Sequence, residues 1–287
     1  MPALPARGAA VRELALPLPP ARMPPVRAGR PLKRWRYVGV YGAGLCLCAA
    51  EVWVGPLAQR FWGVATPDGR LLSGRSLLGS GGVAVDEAGI AVRARAREGG
   101  ARVEIQAELM REGAPPAVES VAASGERGHV WTRKQAGRPA RCSVTVDGQR
   151  QALHGESVVD ETAGYHLRHT LWSWSAGVGR TPTGARVAWN LVEGVNDDPA
   201  DSERTLWLDG EPIEAPPVRF APDLATVSSD DGSKLRLSVW AALAHRTHLG
   251  LMRSDYRQPF GTFTGTLPGG VELSEGYGVT ERHEAWW

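Results

Sequence analysis

The chain has 287 residues, a formal charge of +2, 35 Gly, 21 Pro and three Cys. It is long enough to bury a full core and longer than one domain usually needs, and its Gly and Pro content excludes a helical bundle in favour of short strands and tight turns. An odd number of Cys excludes a complete disulfide framework, and no stretch is apolar for long enough to span a bilayer as a helix.

Residues 1–32 read as a basic, Pro-rich arm. Residues 1–36 carry eight Lys or Arg against the single acid Glu13, so the balance of the chain is acidic. Such an arm can touch nucleic acid or anionic lipid. This one lacks a basic repeat and is broken by Pro, so it reads as a segment lying extended across the fold, with nucleic-acid binding not the main role. Its apolar runs are interrupted by Arg, Glu or Pro, unlike a secretory signal, so the expected location is cytoplasmic.

A first β domain is expected over residues 33–155. Strands run from Tyr37 to Tyr41, Leu45 to Val54 and Ala58 to Ala65, separated by Gly42-Ala43-Gly44 and Gly55-Pro56. Cys46 and Cys48 share one strand face and read as small buried apolar residues. The run from Gly39 to Gly44 has only a superficial likeness to a dinucleotide fingerprint, because the third glycine and the following helix are missing. The clearest hairpin has Ile90, Val92, Ala94 and Ala96 alternating with Arg93, Arg95 and Arg97, turns at Gly99-Gly100, and returns with Val103, Ile105, Ala107 and Leu109 alternating with Arg102, Glu104, Gln106 and Glu108. Strands from His129 to Lys134 and Arg141 to Val146 follow, then the Asp147-Gly148 turn and a strand from Gln149 to Leu153.

A second β domain is expected over residues 156–287. Its strands run through Trp172 to Trp174, Ala185 to Val192, Thr205 to Leu208, Val218 to Phe220, Leu235 to Trp240, His245 to Met252, Gly261 to Leu267 and Gly276 to Trp287, with at most one helical turn near Ala241. The fold class is all-β, as two barrels or sandwiches packed together.

Candidate site residues concentrate between Asp160 and Trp174. Alternation places His166, Arg168, Thr170, Trp172 and Trp174 on one face and His169 on the other, so the two histidines diverge and a metal site is not expected. On the last strand Tyr277, Val279, Glu281, His283, Ala285 and Trp287 share a face. A carboxylate and an imidazole in apolar surroundings are where acid–base groups acquire shifted pKa values. Asn190, beside Trp189, can present an amide to a ligand or tie down a loop. No phosphate loop, nucleophile elbow or zinc spacing is present, and no cofactor is expected.

An ordered set of segments carries a resemblance over most of the chain after residue 30: Lys33-Arg34-Trp35, Asp160 with Gly164 and Trp172-Ser173-Trp174, Trp189-Asn190-Leu191, Trp207 with Asp209-Gly210, Gln258-Pro259-Phe260-Gly261, and Gly276 to His283 ending at Trp287. In this order they resemble an uncharacterised bacterial, mainly actinobacterial, domain-of-unknown-function family, similar in turn to tandem lipocalin-like proteins of the AttH and hydroxyneurosporene synthase type. The resemblance implies two calycin/lipocalin-like antiparallel barrels in tandem. Relatives at that distance include hydratases and cyclases acting on terpenoid or polyketide-like substrates. Glu161 stands where that family often has an aromatic residue, which weakens any transfer of a role to that position.

The reading reached is a protein that binds a hydrophobic small molecule in a pocket lined by Trp172, Trp174, Trp189 and Tyr277, with His166, Arg168 and Asn190 as further contacts. The enzyme alternative is acid–base isomerisation, hydration or cyclisation through Asp160, Glu281 and His283, and the third class is a structural or interaction protein. A carrier needs an apolar pocket without convergent ionisable groups, and an enzyme needs Asp160, Glu281 or His283 facing that pocket. The oligomeric state is left open by the sequence.

Overall fold

The computed structural model describes residues 4–77, 79–250 and 252–286. Trp287, expected at the end of the last strand, lies outside the described residues. The arm holds β1 (Ala6–Arg7), α1 (Ala10–Glu13), β2 (Val26–Arg27) and β3 (Arg30–Pro31). The first sheet is then built from β4 (Lys33–Gly42), β5 (Leu45–Val54), β6 (Leu57–Ala65), β7 (Leu71–Leu77), β8 (Val83–Val85), β9 (Gly89–Arg95), β10 (Arg102–Leu109), β11 (Val118–Ser124), β12 (Gly128–Val146) and β13 (Gln149–Gly164). A second sheet follows from β14 (His169–Arg180), β15 (Arg186–Glu193), β16 (Thr205–Leu208), β17 (Glu211–Glu214), β18 (Val218–Phe220), β19 (Thr226–Ser229), β20 (Lys234–Leu249), β21 (Met252–Leu267) and β22 (Val271–Trp286).

The fold is all-β, as two curled antiparallel half-barrels in tandem. The first sheet runs in the order β7-β6-β5-β4-β13-β12-β10-β9-β8, with β11 pairing β12 and the arm strand β1; the second runs β17-β16-β15-β14-β22-β21-β20-β19-β18. The chain passes from one sheet to the other between Gly164 and His169, so the strand that contains Glu156 belongs wholly to the first sheet. The stretch from Asp160 to Trp174 is therefore two strands in two sheets rather than one.

Alternation explains how the two halves join. On β4 and β5, Val38, Val40, Leu45 and Leu47 point into the hollow of the first sheet, while Tyr37, Tyr41, Cys46 and Cys48 point the other way. That second face meets Trp174, Ala176, Val178, Phe260 and Val279 of the second sheet in a core shared by both. The hollow of the second sheet is filled separately, around Trp189, Leu191 and Phe263. Strands apolar on both faces are what burial between two layers demands.

Two glycines make these contacts possible. A Cβ on Gly39 would lie 2.2 Å from the Tyr41 hydroxyl, and one on Gly177 would lie 2.2 Å from the Trp189 ring. The strands expected at His129 to Lys134 and Arg141 to Val146 form one strand, β12, whose register shifts between Ala136 and Arg138. Gly137 there has φ +81°, so a bulge bends the strand where two separate strands were expected. No helical turn forms near Ala241; β20 continues through it, again with a register shift.

The arm packs across the first sheet, burying Ala6, Val11, Leu18 and Met23 against Val121, Trp131, Ala163 and Tyr165. Arg7 reaches the second half, donating to the Ser202 carbonyl and, at 2.8 Å, to Thr205 Oγ1. Among the described residues no helix is long and apolar enough to cross a membrane.

Candidate functional site

A cavity of about 160 Å³ lies between the two sheets, with both contributing wall residues. The first sheet supplies Trp35, Tyr37, Phe61, Lys134 and Asp160, and the second supplies Trp172, Trp174, Tyr256, Glu281 and His283. Trp35 and Trp172, one from each half, hold their rings nearly parallel at 7° with centroids 5.9 Å apart. Leu57 and Leu77 line the cavity and are 45% exposed, which puts them at its rim.

Glu281 is the acid of this wall. It is buried, and three donors converge on it: Trp172 Nε1 to Oε1 at 3.0 Å, Tyr256 Oη to Oε2 at 2.8 Å, and Gln258 Nε2 to Oε2 at 3.3 Å. Burial pushes its pKa up to about 7 from an ordinary 4.5; the hydrogen bonds from Tyr256 and Trp172 oppose that rise, and the charge of Asp160 adds to it. The group is thus a proton donor near neutrality whose conjugate base already has its donors in place.

Opposite in character is a buried cluster around Lys134. Its ammonium donates to Asp160 Oδ1 at 2.5 Å and lies 3.2 Å from Glu203 Oε1. Thr162 and Trp35 add donors to Asp160 at 3.3 and 3.4 Å. Burial acts to lower the Lys134 pKa, but Asp160 and Glu203 outweigh it and the net shift is upward. One cation serves two carboxyls, so Glu203, the more distant, is pushed up by burial despite Lys134. The cluster continues into the second half: Asn196 Nδ2 donates to Glu203 Oε2 at 3.2 Å, Asn190 Nδ2 to the Glu203 carbonyl at 2.9 Å, and Trp174 Nε1 to Asn190 Oδ1 at 2.7 Å.

The three histidines of the cavity wall are held neutral. His283, whose Nε2 is 2.8 Å from Ser254 Oγ, is pushed down to about 3 by burial, with His245, Lys33 and Arg75 adding to the shift. His166 and His245 are also pushed down to about 3, again by burial first. His166 packs near Trp35, and its Nε2 has no hydrogen-bond partner among the described residues.

Of the residues singled out in the sequence, Asp160, Glu281, His283, His166, Trp172 and Trp174 come together on this cavity. Four lie elsewhere. Arg168 is exposed in the link between the sheets. Trp189 fills the hollow of the second sheet, with its Nε1 3.0 Å from Ser175 Oγ. Asn190 is buried behind Trp174, and Tyr277 borders a separate groove with Tyr41 and Glu156. Glu161 turns to the opposite face of β13 from Asp160, paired with Arg36 and Arg133. Sequence reasoning missed Lys134, Glu203, Tyr256 and Trp35 as wall residues. For the first of them the strand itself held no signal, since Arg133 and Gln135 flank Lys134 and make it look like one more polar position. Among the described residues, no group of three or more His, Cys, Asp or Glu is placed to hold a metal ion.

Two curled β sheets in tandem, enclosing an aromatic cavity with buried carboxyls at their junction, define a tandem lipocalin-like protein. The chain belongs to the family described as domain of unknown function DUF2804, whose sequence pattern matches residues 82–287. No curated protein matches the sequence. Similar solved structures include kievitone hydratase from Nectria haematococca, at 11% identity and TM-score 0.51 over 86% of this chain and 88% of that one. A protein described as AttH from Nitrosomonas europaea aligns at 14% identity and TM-score 0.46, covering 94% and 98%. CghA in complex with Sch210972 aligns at 11% and 0.44, covering 95% and 96%.

Proposed function

We propose that the protein is an acid–base enzyme acting on an apolar, ring-bearing small molecule, by hydration or its reverse, isomerisation or cyclisation. The observation that carries this reading is the convergence of Glu281, Asp160 and His283 on one aromatic cavity. An apolar pocket alone serves a carrier; a buried carboxyl poised near neutrality within it is suited to moving a proton. Glu281 donates the proton. Asp160, fixed by Lys134, is the anionic pole that faces a developing cation or takes a proton back, and the faces of Trp35, Trp172 and Trp174 stabilise positive charge between them. His283, neutral and tied to Ser254, orients the substrate, and His166 adds to the same wall. One protein that shares the fold is a hydratase, and hydration is a reaction of this class. A cytoplasmic location belongs to the same reading, supported by three cysteines that are all free and buried.

The test starts from protein purified from its own host, whose bound compound is identified by native mass spectrometry and organic extraction. Wild type converts that compound, whereas Glu281→Gln binds it and converts it about 100-fold more slowly or worse. Equal turnover by Glu281→Gln removes Glu281 as the acid. A compound that is bound and left unchanged by wild type makes the protein a carrier.

A further inference from the structure

Gln258 stands behind the cavity wall rather than on it. It is fully buried on β21, two residues from Tyr256. Each polar end of its amide has a partner: Oε1 accepts from the Cys48 thiol at 3.4 Å, and Nε2 donates to Tyr37 Oη at 3.2 Å and to Glu281 Oε2 at 3.3 Å. Tyr37 is held in turn by the Tyr41 hydroxyl at 2.9 Å. Cys48, Tyr37 and Tyr41 belong to the first sheet, Gln258 and Glu281 to the second.

We propose that Gln258 is the positioning residue of the acid: its amide, locked by Cys48 and Tyr37, occupies Oε2 of Glu281 and so leaves the transferable proton on Oε1, beside Trp172. The inference rests on Glu281 being the acid. A carboxyl oxygen offers two in-plane lone pairs. Tyr256 and Gln258 both donate to Oε2, whereas among the described residues Oε1 receives only Trp172 and keeps one direction for a proton. Tyr256 can reverse its hydroxyl and accept; an amide N–H cannot. Turned over, the amide would offer its oxygen to Oε2 and draw the proton there. The Cys48 thiol opposes that turn, because burial pushes it up to about 12 and it stays an S–H donor facing the amide oxygen. The link also makes the acid's geometry depend on the seating of one sheet against the other.

Among the described residues the other titratable groups around Glu281 are Tyr256 on β21, Asp160 on β13, Lys134 on β12, Cys48 on β5, Tyr37 and Tyr41 on β4 and His283 on its own strand. None of them changes in the variants used below except Cys48 itself.

Infrared titration of the full chain reads the proton directly, through the protonated-carboxyl stretch that disappears in Glu281→Gln. In wild type the band titrates with a midpoint of about 7. In Gln258→Leu the carboxylate has lost a donor, so the midpoint rises by about one pH unit and the band shifts in frequency. Cys48→Ala moves both in the same direction by a smaller amount, and Cys48→Ser, which keeps a donor, returns both to wild-type values. Packing damage alone moves stability without this ordered response. If Gln258→Leu fails to fold, the Cys48 pair carries the test. An unchanged band in Gln258→Leu, or in both Cys48 variants, overturns the positioning role while leaving the acid in place. A wild-type protein with no such band overturns the acid and with it the positioning role.

Discussion

Glu281 and His283 are two positions apart on one strand, and the same burial pushes one up and the other down. The consequence for stability can be given a sign. Between about pH 4.5 and 7 the folded chain retains a proton on Glu281 that the unfolded chain has released, so this group's contribution falls as pH rises through that window. His283, His166 and His245 act oppositely: folded, they have lost protons that the unfolded chain still binds between about 3 and 6.5, so stability rises with pH there. Comparing melting temperatures of wild type and Glu281→Gln isolates the first effect: the advantage of the variant grows from pH 4.5 to 7 and then levels off. A constant difference across that range contradicts the upward shift. Lys134 gives a second prediction. Lys134→Met leaves Asp160 and Glu203 buried without their cation, a loss of about 3 to 5 kcal/mol in denaturant unfolding. Adding Glu203→Gln to that variant recovers part of the loss, and no recovery in the double variant argues against the shared cation.

Among the elements, β12 shows what alternation can and cannot reveal. The two expected segments were placed correctly on the chain but counted as two strands, because the bulge at Gly137 breaks the period without breaking the hydrogen bonding on either side. Gly137→Ala forces a side chain into positive φ in the middle of the longest strand and is expected to lower stability by about 1 kcal/mol or more. A melting temperature equal to wild type would show that the bulge relaxes. The two faces of the β9–β10 hairpin were legible, with Arg93 opposite Glu104 on the wet side, because one face is wet and only one register hides the other, although β9 ends at Arg95 and does not run on through Arg97. The stretch from Tyr165 to Arg168 was not. It holds no Gly or Pro, and nothing local marks it as the place where the chain leaves one sheet for the other. Glu281 and His283 could be read as one face of one strand, whereas Lys134 and Glu203 meet only through tertiary packing.

Taken as a molecule, the two halves share a core that neither can cover alone. Trp207 Nε1 donates to the Pro116 carbonyl at 2.9 Å, and Lys134 on one sheet answers Glu203 of the other half. The expected result is one cooperative thermal transition for the whole chain, with residues 1–164 and 165–287 failing to fold when expressed apart; two separate transitions would contradict a common core. The arm contributes to the same unit: removing residues 1–24 uncovers Val121, Trp131 and Tyr165 and lowers the melting temperature.

The seam also sets the dimensions of the chamber. Cys46 and Cys48 are among the smallest side chains where the sheets meet, and both are completely buried. They act as shims. A bulkier residue at Cys46, which packs in the shared core without lining the cavity, prises the two plates apart like a washer under a hinge. The internal width changes although no wall residue has. For the reaction proposed above, size preference can then drift through substitutions invisible to any inspection of the wall, and Cys46→Leu, assayed against a graded series of ring sizes, reads that drift as a changed order of preference.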